Sequence, residues 1–500
     1  MKKQWKRLAA CAVLCAVLTG GLTVPAAAGF ADVPANHWAS ESIRLCVERG
    51  FFQGQSSSRF GLGGQMTRSA FAVVLCRFFG WEPASPAKAV YEDVPAEAWY
   101  AGAVEAAYLH GALTDQQETF RPDAPITREE LAVMLVRAMG YGSIAGLAQD
   151  LPMPFRDVTT NTGYITMAYD LGLMSGISAD TFSPDRAATR EQVAVILTRL
   201  YDQLHKKGMG LMTVAAVPGD FTGLKAVAVP AGRMITVGER PTVNTVMRPE
   251  ETAPVLEAAR KAGTKTLLYL TGGPTALRAP AAAAAQTVSE AVRTGGYDGL
   301  MLYIPALKAK DEERMTALAQ ALDAALGAEK LLYVMADAPA RGEEEPGYDY
   351  AALAAAADQL VLRVADHQIF PGGFPTTPVD PLEELYYALG TLKTVESGKL
   401  ALSVTAGVSA WNGGKRCALT AEEFQALLAD PETERHYSDR YACAYLTGTL
   451  KKGGDVVVWY LDRQGAAARV QLARAFGVQQ LCLDDWSFAG EDLLAGLRES

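Results

Sequence analysis

Thr127-Arg128-Glu129-Glu130-Leu131-Ala132-Val133-Met134-Leu135-Val136 reads as the opening of a helix. A threonine stands ahead of an apolar-periodic run, where its hydroxyl can accept from a free amide of the first turn. Glu130, three residues on, can reach back to the threonine's own N–H and complete a capping box. The same opening recurs at Thr67-Arg68 and at Thr189-Arg190, the latter with Gln192 in the glutamate's place. The three copies are spaced by about sixty residues. Upstream of each lies a second landmark, Phe30-Ala31-Asp32-Val33, Tyr91-Glu92-Asp93-Val94 and Phe155-Arg156-Asp157-Val158. Between the landmarks each copy has a helix-like stretch closing at Gly50, Gly111 or Gly172. A segment led by Phe60, Phe120 or Phe182 follows. Self-similarity at a fixed period marks structural units that stack to share one core.

Composition bounds the rest. The 500 residues exceed one ordinary core and suggest roughly three units. A net charge of −10 excludes a nucleic-acid binder, which needs a basic face to displace phosphate counterions. Only 5 histidines occur, with no spaced ligand set and no Cys-x-x-Cys pair, so no metal site and no cofactor is expected. Lys2, Lys3, Lys6 and Arg7, the apolar run from Leu8 to Val24, and the small residues Ala26 and Ala28 read as a signal peptide over 1–28. The chain is therefore expected to be secreted, with no lasting membrane span. Cys11 and Cys15 leave with the signal. Cys46, Cys76, Cys417, Cys443 and Cys482 read as buried free thiols.

The triplicated landmarks resemble the S-layer homology family, with repeats over 29–85, 86–145 and 150–205. The resemblance implies an all-α prism of three repeats at the cell wall or S-layer surface, with grooves that bind secondary cell-wall polysaccharide. It points to Asp32, Asp93 and Asp157, to Arg68, Arg128 and Arg190, and to Trp38 and Trp99 as the binding residues. The third copy has Tyr164 in the region of the tryptophan. Elementary chemistry agrees: a guanidinium fork suits a sugar carboxylate, and an aromatic face suits the apolar side of a pyranose. The plainer alternatives are aspartates and arginines that cap helices or pair with each other, and tryptophans that fill the core.

After a connector over 206–221 the pattern changes. Apolar strand-like runs at Leu224–Val229, Thr266–Thr271, Leu300–Pro305, Leu331–Ala336, Leu360–Ala365, Leu400–Ala406, Val456–Leu461 and Leu481–Leu483 alternate with helical stretches. Such alternation over 222–500 predicts an α/β domain of the (β/α)8, TIM-barrel type. Gly296–Pro305 and Asp358–His367 resemble the fourth and sixth strands of family 18 glycoside hydrolases, close to the spore-wall type. The family motif Asp-Gly-x-Asp-x-Asp-x-Glu matches at Asp298 and Gly299, but Met301, Tyr303 and Pro305 stand where its second Asp, third Asp and catalytic Glu belong. The resemblance thus implies the barrel without the acids of substrate-assisted hydrolysis.

Candidate cleft residues for glycan are Asp298, Tyr303, Asp337, Asp366, Trp459, Asp484 and Trp486, with no catalytic residue assigned. The expected function is a wall-anchored protein whose degenerate barrel binds peptidoglycan or another amino-sugar glycan without hydrolysis. The alternatives are a hydrolase using relocated carboxylates, such as Asp366 and Asp484, and a scaffold for another envelope protein.

Overall fold

The computed structural model describes residues 30–85, 89–114, 118–149, 151–205, 209–341, 346–364, 376–451 and 453–498. The expected signal segment, Asp366 and His367 lie outside the described residues.

The first part is helical: α1 (Ser40–Glu48), α2 (Arg68–Phe79), α3 (Ala101–Leu109), α4 (Arg128–Ala138), α5 (Gly142–Ala148), α6 (Thr162–Asp170) and α7 (Arg190–Leu204). Helices α2, α4 and α7 begin at the three Thr-Arg landmarks. Thr67 and Thr127 accept from the amides of Ala70 and Glu130, while the Glu130 and Gln192 side chains accept from the N–H of Thr127 and Thr189.

The residues just ahead of these helices close a ring. Ile126 N–H donates to Met66 O, Met66 N–H to Ala188 O, and Ala188 N–H to Ile126 O. Short antiparallel bridges join Gln65 to Thr189, Thr67 to Pro125 and Thr127 to Ala187. Each repeat thus satisfies backbone groups of the others, so three units with small private cores share one.

The second part is a closed barrel of eight parallel strands. In chain order its strands are β1 (Gly210–Val214), β2 (Ala226–Val237), then, after the antiparallel partner β3 (Arg240–Thr245), β4 (Lys265–Gly272), β5 (Gly299–Tyr303), β6 (Leu331–Asp337), β7 (Gln359–Arg363) and β8 (Leu400–Val404). A five-stranded antiparallel sheet then interrupts it: β9 (Ser409–Asn412), β10 (Lys415–Cys417), β11 (Glu434–Ser438), β12 (Cys443–Thr449) and β13 (Asp455–Tyr460). Finally β14 (Gln480–Leu483) pairs between β8 and β1, and β1 pairs with β2 to close the circle.

The connecting helices are α8 (Pro249–Lys261), α9 (Ala281–Thr294), α10 (Glu312–Leu326), α11 (Tyr350–Ala356) and α12 (Leu382–Thr391). In the later part of the chain come α13 (Ala421–Ala429), α14 (Arg463–Ala475) and α15 (Glu491–Arg498). Alternate residues of the strands face two ways. Met212, Val214, Ala226, Ala228, Leu267, Met301, Tyr303, Tyr333, Met335, Val361, Ala401 and Cys482 fill the barrel interior, while Leu300, Leu302, Leu360 and Leu362 join the core against the helices.

Two expectations are corrected. The stretch 206–221 is not only a connector, because it contains β1, whose five residues are all buried. Val456–Leu461 is not a barrel strand: as β13 it pairs antiparallel with β9 and β12. Its alternation is the same in either setting, and periodicity does not report the direction of the neighbour.

The two parts are docked. Asp170, at the end of α6, has a fully buried side chain that meets Lys393 Nζ at 2.8 Å and accepts from Tyr386 Oη at 3.2 Å. Gly390 leaves room for Leu151, since a β-carbon there would come within 3.1 Å of Leu151 Cδ1. Among the described residues the five cysteines are free, four of them buried and Cys417 half-buried.

Candidate functional site

The three repeat aspartates do the same local work. Asp32 accepts from the N–H groups of Phe60, Gly61 and Leu62; Asp93 accepts from Phe120 and Arg121; Asp157 accepts from Phe182 and Ser183. The residue after each phenylalanine has a positive φ: Gly61 at 90°, Arg121 at 60° and Ser183 at 58°. That turn points successive amides at one carboxylate, an anion-holding nest. Burial alone would raise the Asp32 carboxyl, but the donated amides outweigh it and hold it below the usual range. The carboxylates thus pin each loop to its own repeat.

The arginines link one repeat to the next in a cycle. Arg68 Nε donates to Phe120 O, Arg128 Nε to Phe182 O and Arg190 Nε to Phe60 O, at 2.7, 2.8 and 3.0 Å. Each guanidinium also lies over the ring of the same phenylalanine, 4.3–4.9 Å from its centroid. Second bonds run from Arg128 Nη2 to Ser175 O and from Arg190 Nη2 to Gln53 O. Arg68 instead pairs with Glu130 at 2.8 Å, and Glu130 also meets Arg121. Burial pushes the Glu130 carboxyl up, but the Thr127 amide, Arg68 and Arg121 together hold it low.

The tryptophans behave oppositely. Trp38 and Trp99 are 63% and 68% exposed, the largest bare aromatic surfaces among the described residues. They follow Asp32 and Asp93 by six residues, and the same position after Asp157 is Gly163. The reason is steric: a β-carbon on Gly163 would fall 1.5 Å from Ala145 O, because α5 lies across that place. Tyr164, the next residue, is committed to Arg137, whose Nε donates to its hydroxyl at 3.0 Å.

A cavity of about 510 Å³ lies between the repeats. Arg68, Arg121, Arg137, Glu129, Glu130, Thr114 and Asn161 supply its polar wall, and Tyr91, Leu113 and Met134 its apolar one. Arg121 and Arg137 were not singled out in the sequence, since they fall outside the Thr-Arg landmark.

Three segments of the chain, 29–72, 90–132 and 154–194, match the family described as S-layer homology domain. Residues 29–194 carry three S-layer homology repeats. An S-layer protein of Bacillus thuringiensis subsp. finitimus is 28% identical over 200 residues, covering 39% of this chain and 24% of that protein. An endoglucanase of Bacillus sp. (strain KSM-635) is 31% identical over 184 residues, 34% of this chain and 18% of that one. The chain thus spans about a quarter or less of these relatives' lengths.

Outside the S-layer homology repeats, a chitinase structure from Chromobacterium violaceum covers 58% of this chain and 98% of its own at 18% identity, with a TM-score of 0.48. The Bacillus cereus spore cortex-lytic enzyme SleL covers 59% and 75% at 14% identity, with a TM-score of 0.49.

At the carboxyl end of the barrel strands the expected cleft residues separate. Tyr303 Oη donates to Asp337 at 2.5 Å, and Asp337 also accepts from the Ala306 amide at 2.9 Å. Arg363, at the end of β7, reaches Tyr303 Oη at 3.5 Å. Asp484 accepts from Ala406 N–H at 2.8 Å, while Asp380 accepts from the N–H and hydroxyl of Thr405. Burial raises both carboxyls, and the charge of Asp380 adds to it at Asp484, so Asp484 is pushed up to about 7 and Asp380 is raised as well. Arg363 and Asp380 were the residues that sequence reasoning missed here.

Three candidates lie elsewhere. Asp298 precedes β5, at the opposite end of the barrel, where it accepts from the Thr266 amide and hydroxyl. Trp459 is on β13, 3% exposed, donating to Thr376 Oγ1. Trp486 packs on Phe221 in the loop between β1 and β2.

Proposed function

We propose that this is a cell-surface protein held to a secondary cell-wall polysaccharide by its S-layer homology repeats, with a barrel that binds amino-sugar glycan without hydrolysing it. The observation that carries the anchoring reading is the pair of bare tryptophans on a ring whose inter-repeat groove is lined by arginines. An exposed indole offers a face to a pyranose, and the guanidinium groups offer donors to a sugar carboxylate. The covering of the third position by α5 favours two tryptophan-bearing faces over three. Among the described residues no helix is long and apolar enough to cross a membrane.

The non-hydrolytic reading rests on Met301 and Tyr303, which fill the buried barrel interior at the positions of the family's acids, and on Pro305 beyond them. Cosedimentation of the full chain with purified walls tests the anchoring. Binding should disappear when the non-peptidoglycan polysaccharide is stripped, and equal binding to stripped walls refutes it.

One observation favours a second reading. The neighbouring carboxylates of Asp380 and Asp484, both raised by burial, have the make-up of a relocated acid and base. Turnover of purified sacculi that Asp484→Asn abolishes would establish it.

A further inference from the structure

A second cavity, of about 640 Å³, lies where the S-layer homology repeats meet the amino-terminal end of the barrel. Its walls come from α6 and α7 on one side, and from the end of α12 and the turn after α14 on the other. Arg474 faces it. This side chain is 8% exposed, its Nε is buried, and among the described residues no carboxylate, carbonyl or hydroxyl pairs with its guanidinium. Of the carboxylates lining the cavity, Asp170 holds Lys393, and Asp202 stands exposed to solvent and does not pair with Arg474.

Across the cavity Gln203 donates through Nε2 to Leu171 O at 2.7 Å, which fixes the amide and leaves Oε1 buried without a donor. A buried cation and a buried acceptor, both unpaired, each carry a desolvation cost that native folds rarely leave standing. Leu389, Leu392 and Phe476 supply an apolar wall.

We propose that this interdomain cavity is a binding site for a hydroxylated carboxylate of sugar size. The carboxylate would take two donors from Arg474, a ring hydroxyl would donate to Gln203 Oε1, and the apolar edge of the ring would lie on the leucines. A volume in the range of small-ligand pockets fits one or two sugar rings. The proposal does not depend on the groove between the repeats, which is built from other residues. A ligand held here touches both parts of the protein and so stabilises their docking.

Isothermal titration of the full chain with sodium glucuronate tests it, with glucose, sodium lactate and inorganic phosphate as comparison probes. Glucuronate should bind one to one, and glucose at least about tenfold more weakly, since it lacks the carboxylate. Lactate should bind much more weakly than glucuronate, and lactate binding nearly as well would overturn the sugar-sized ligand. Arg474→Gln should weaken glucuronate by about tenfold or more. Gln203→Leu should weaken it less and serves as the second test should Arg474→Gln fail to fold. No binding of glucuronate, equal binding of glucose, preference for phosphate, or an affinity untouched by both cavity variants would overturn the proposal.

Discussion

Replacing Arg128 by alanine should break the ring of repeats rather than merely blunt a binding surface. The arginine makes two charge-assisted bonds across the repeat boundary, to Phe182 O and Ser175 O at 2.8 and 2.6 Å. Its guanidinium also sits 4.3 Å from the centroid of the Phe182 ring. Bonds to a charged group contribute about 1.5 kcal/mol each at the low end, and the ring contact about 1 kcal/mol. The loss is therefore about 4 kcal/mol, a large part of the stability of an ordinary domain. At roughly 2–4 °C per kcal/mol for a unit of this size, the midpoint should fall by about 8–16 °C.

Trp99→Ala is the matched comparison. Its side chain is mostly in solvent, so stability should change by no more than about 0.5 kcal/mol while wall binding falls. Thermal unfolding followed by far-ultraviolet circular dichroism, run beside wall cosedimentation, reads both quantities. A midpoint for Arg128→Ala within about 2 °C of the parent would refute the reasoning. So would a Trp99→Ala protein that binds walls as well as the parent.

The barrel should give no turnover of amino-sugar oligomers or sacculi in a product-release assay, and Pro305→Glu alone should not restore it, because catalytic groups acting as a unit fail together. Met301→Asp should cost about 3 kcal/mol or more in urea denaturation, since it buries a carboxylate in the apolar barrel interior. For Asp484 the folded pKa of about 7 lies above the ordinary aspartate value of about 3.9, so the fold holds a proton that the unfolded chain releases. Its contribution is present below pH about 4 and is lost as pH rises through about 7. Asp484→Asn should therefore flatten the decline in stability between about pH 4 and pH 7, and parallel profiles would contradict this. Lys393→Met should destabilise by about 3–5 kcal/mol, because it strands the buried Asp170 carboxylate. Adding Asp170→Asn should recover part of that loss in the same denaturation assay.

The sequence by itself determined the three repeats, their helix starts and the alternation of strand and helix that makes a barrel. Each of these depends on local chemistry: a capping threonine, an apolar period or a glycine at a chain reversal. It also led to the expectation that Met301, Tyr303 and Pro305 stand where the resembled glycoside hydrolase family has its acids, because that is a matter of residue identity. Tertiary structure alone decided which partners each side chain meets. Asp32 and Arg68 carry the same charges whether they hold a sugar or a backbone, and only the fold brought the amides of Phe60 and the carbonyl of Phe120 to them. Trp38 and Trp99 had the composition of core residues, and only the packing left them bare. The absence of a third tryptophan became intelligible once α5 was found pressed against Gly163. Likewise Val456–Leu461 has the period of any strand, but direction and partner come from hydrogen bonds to residues distant in sequence. Asp380 joined Asp484 only because both loops converge on the amides of Thr405 and Ala406, a meeting across 104 positions that no local pattern encodes.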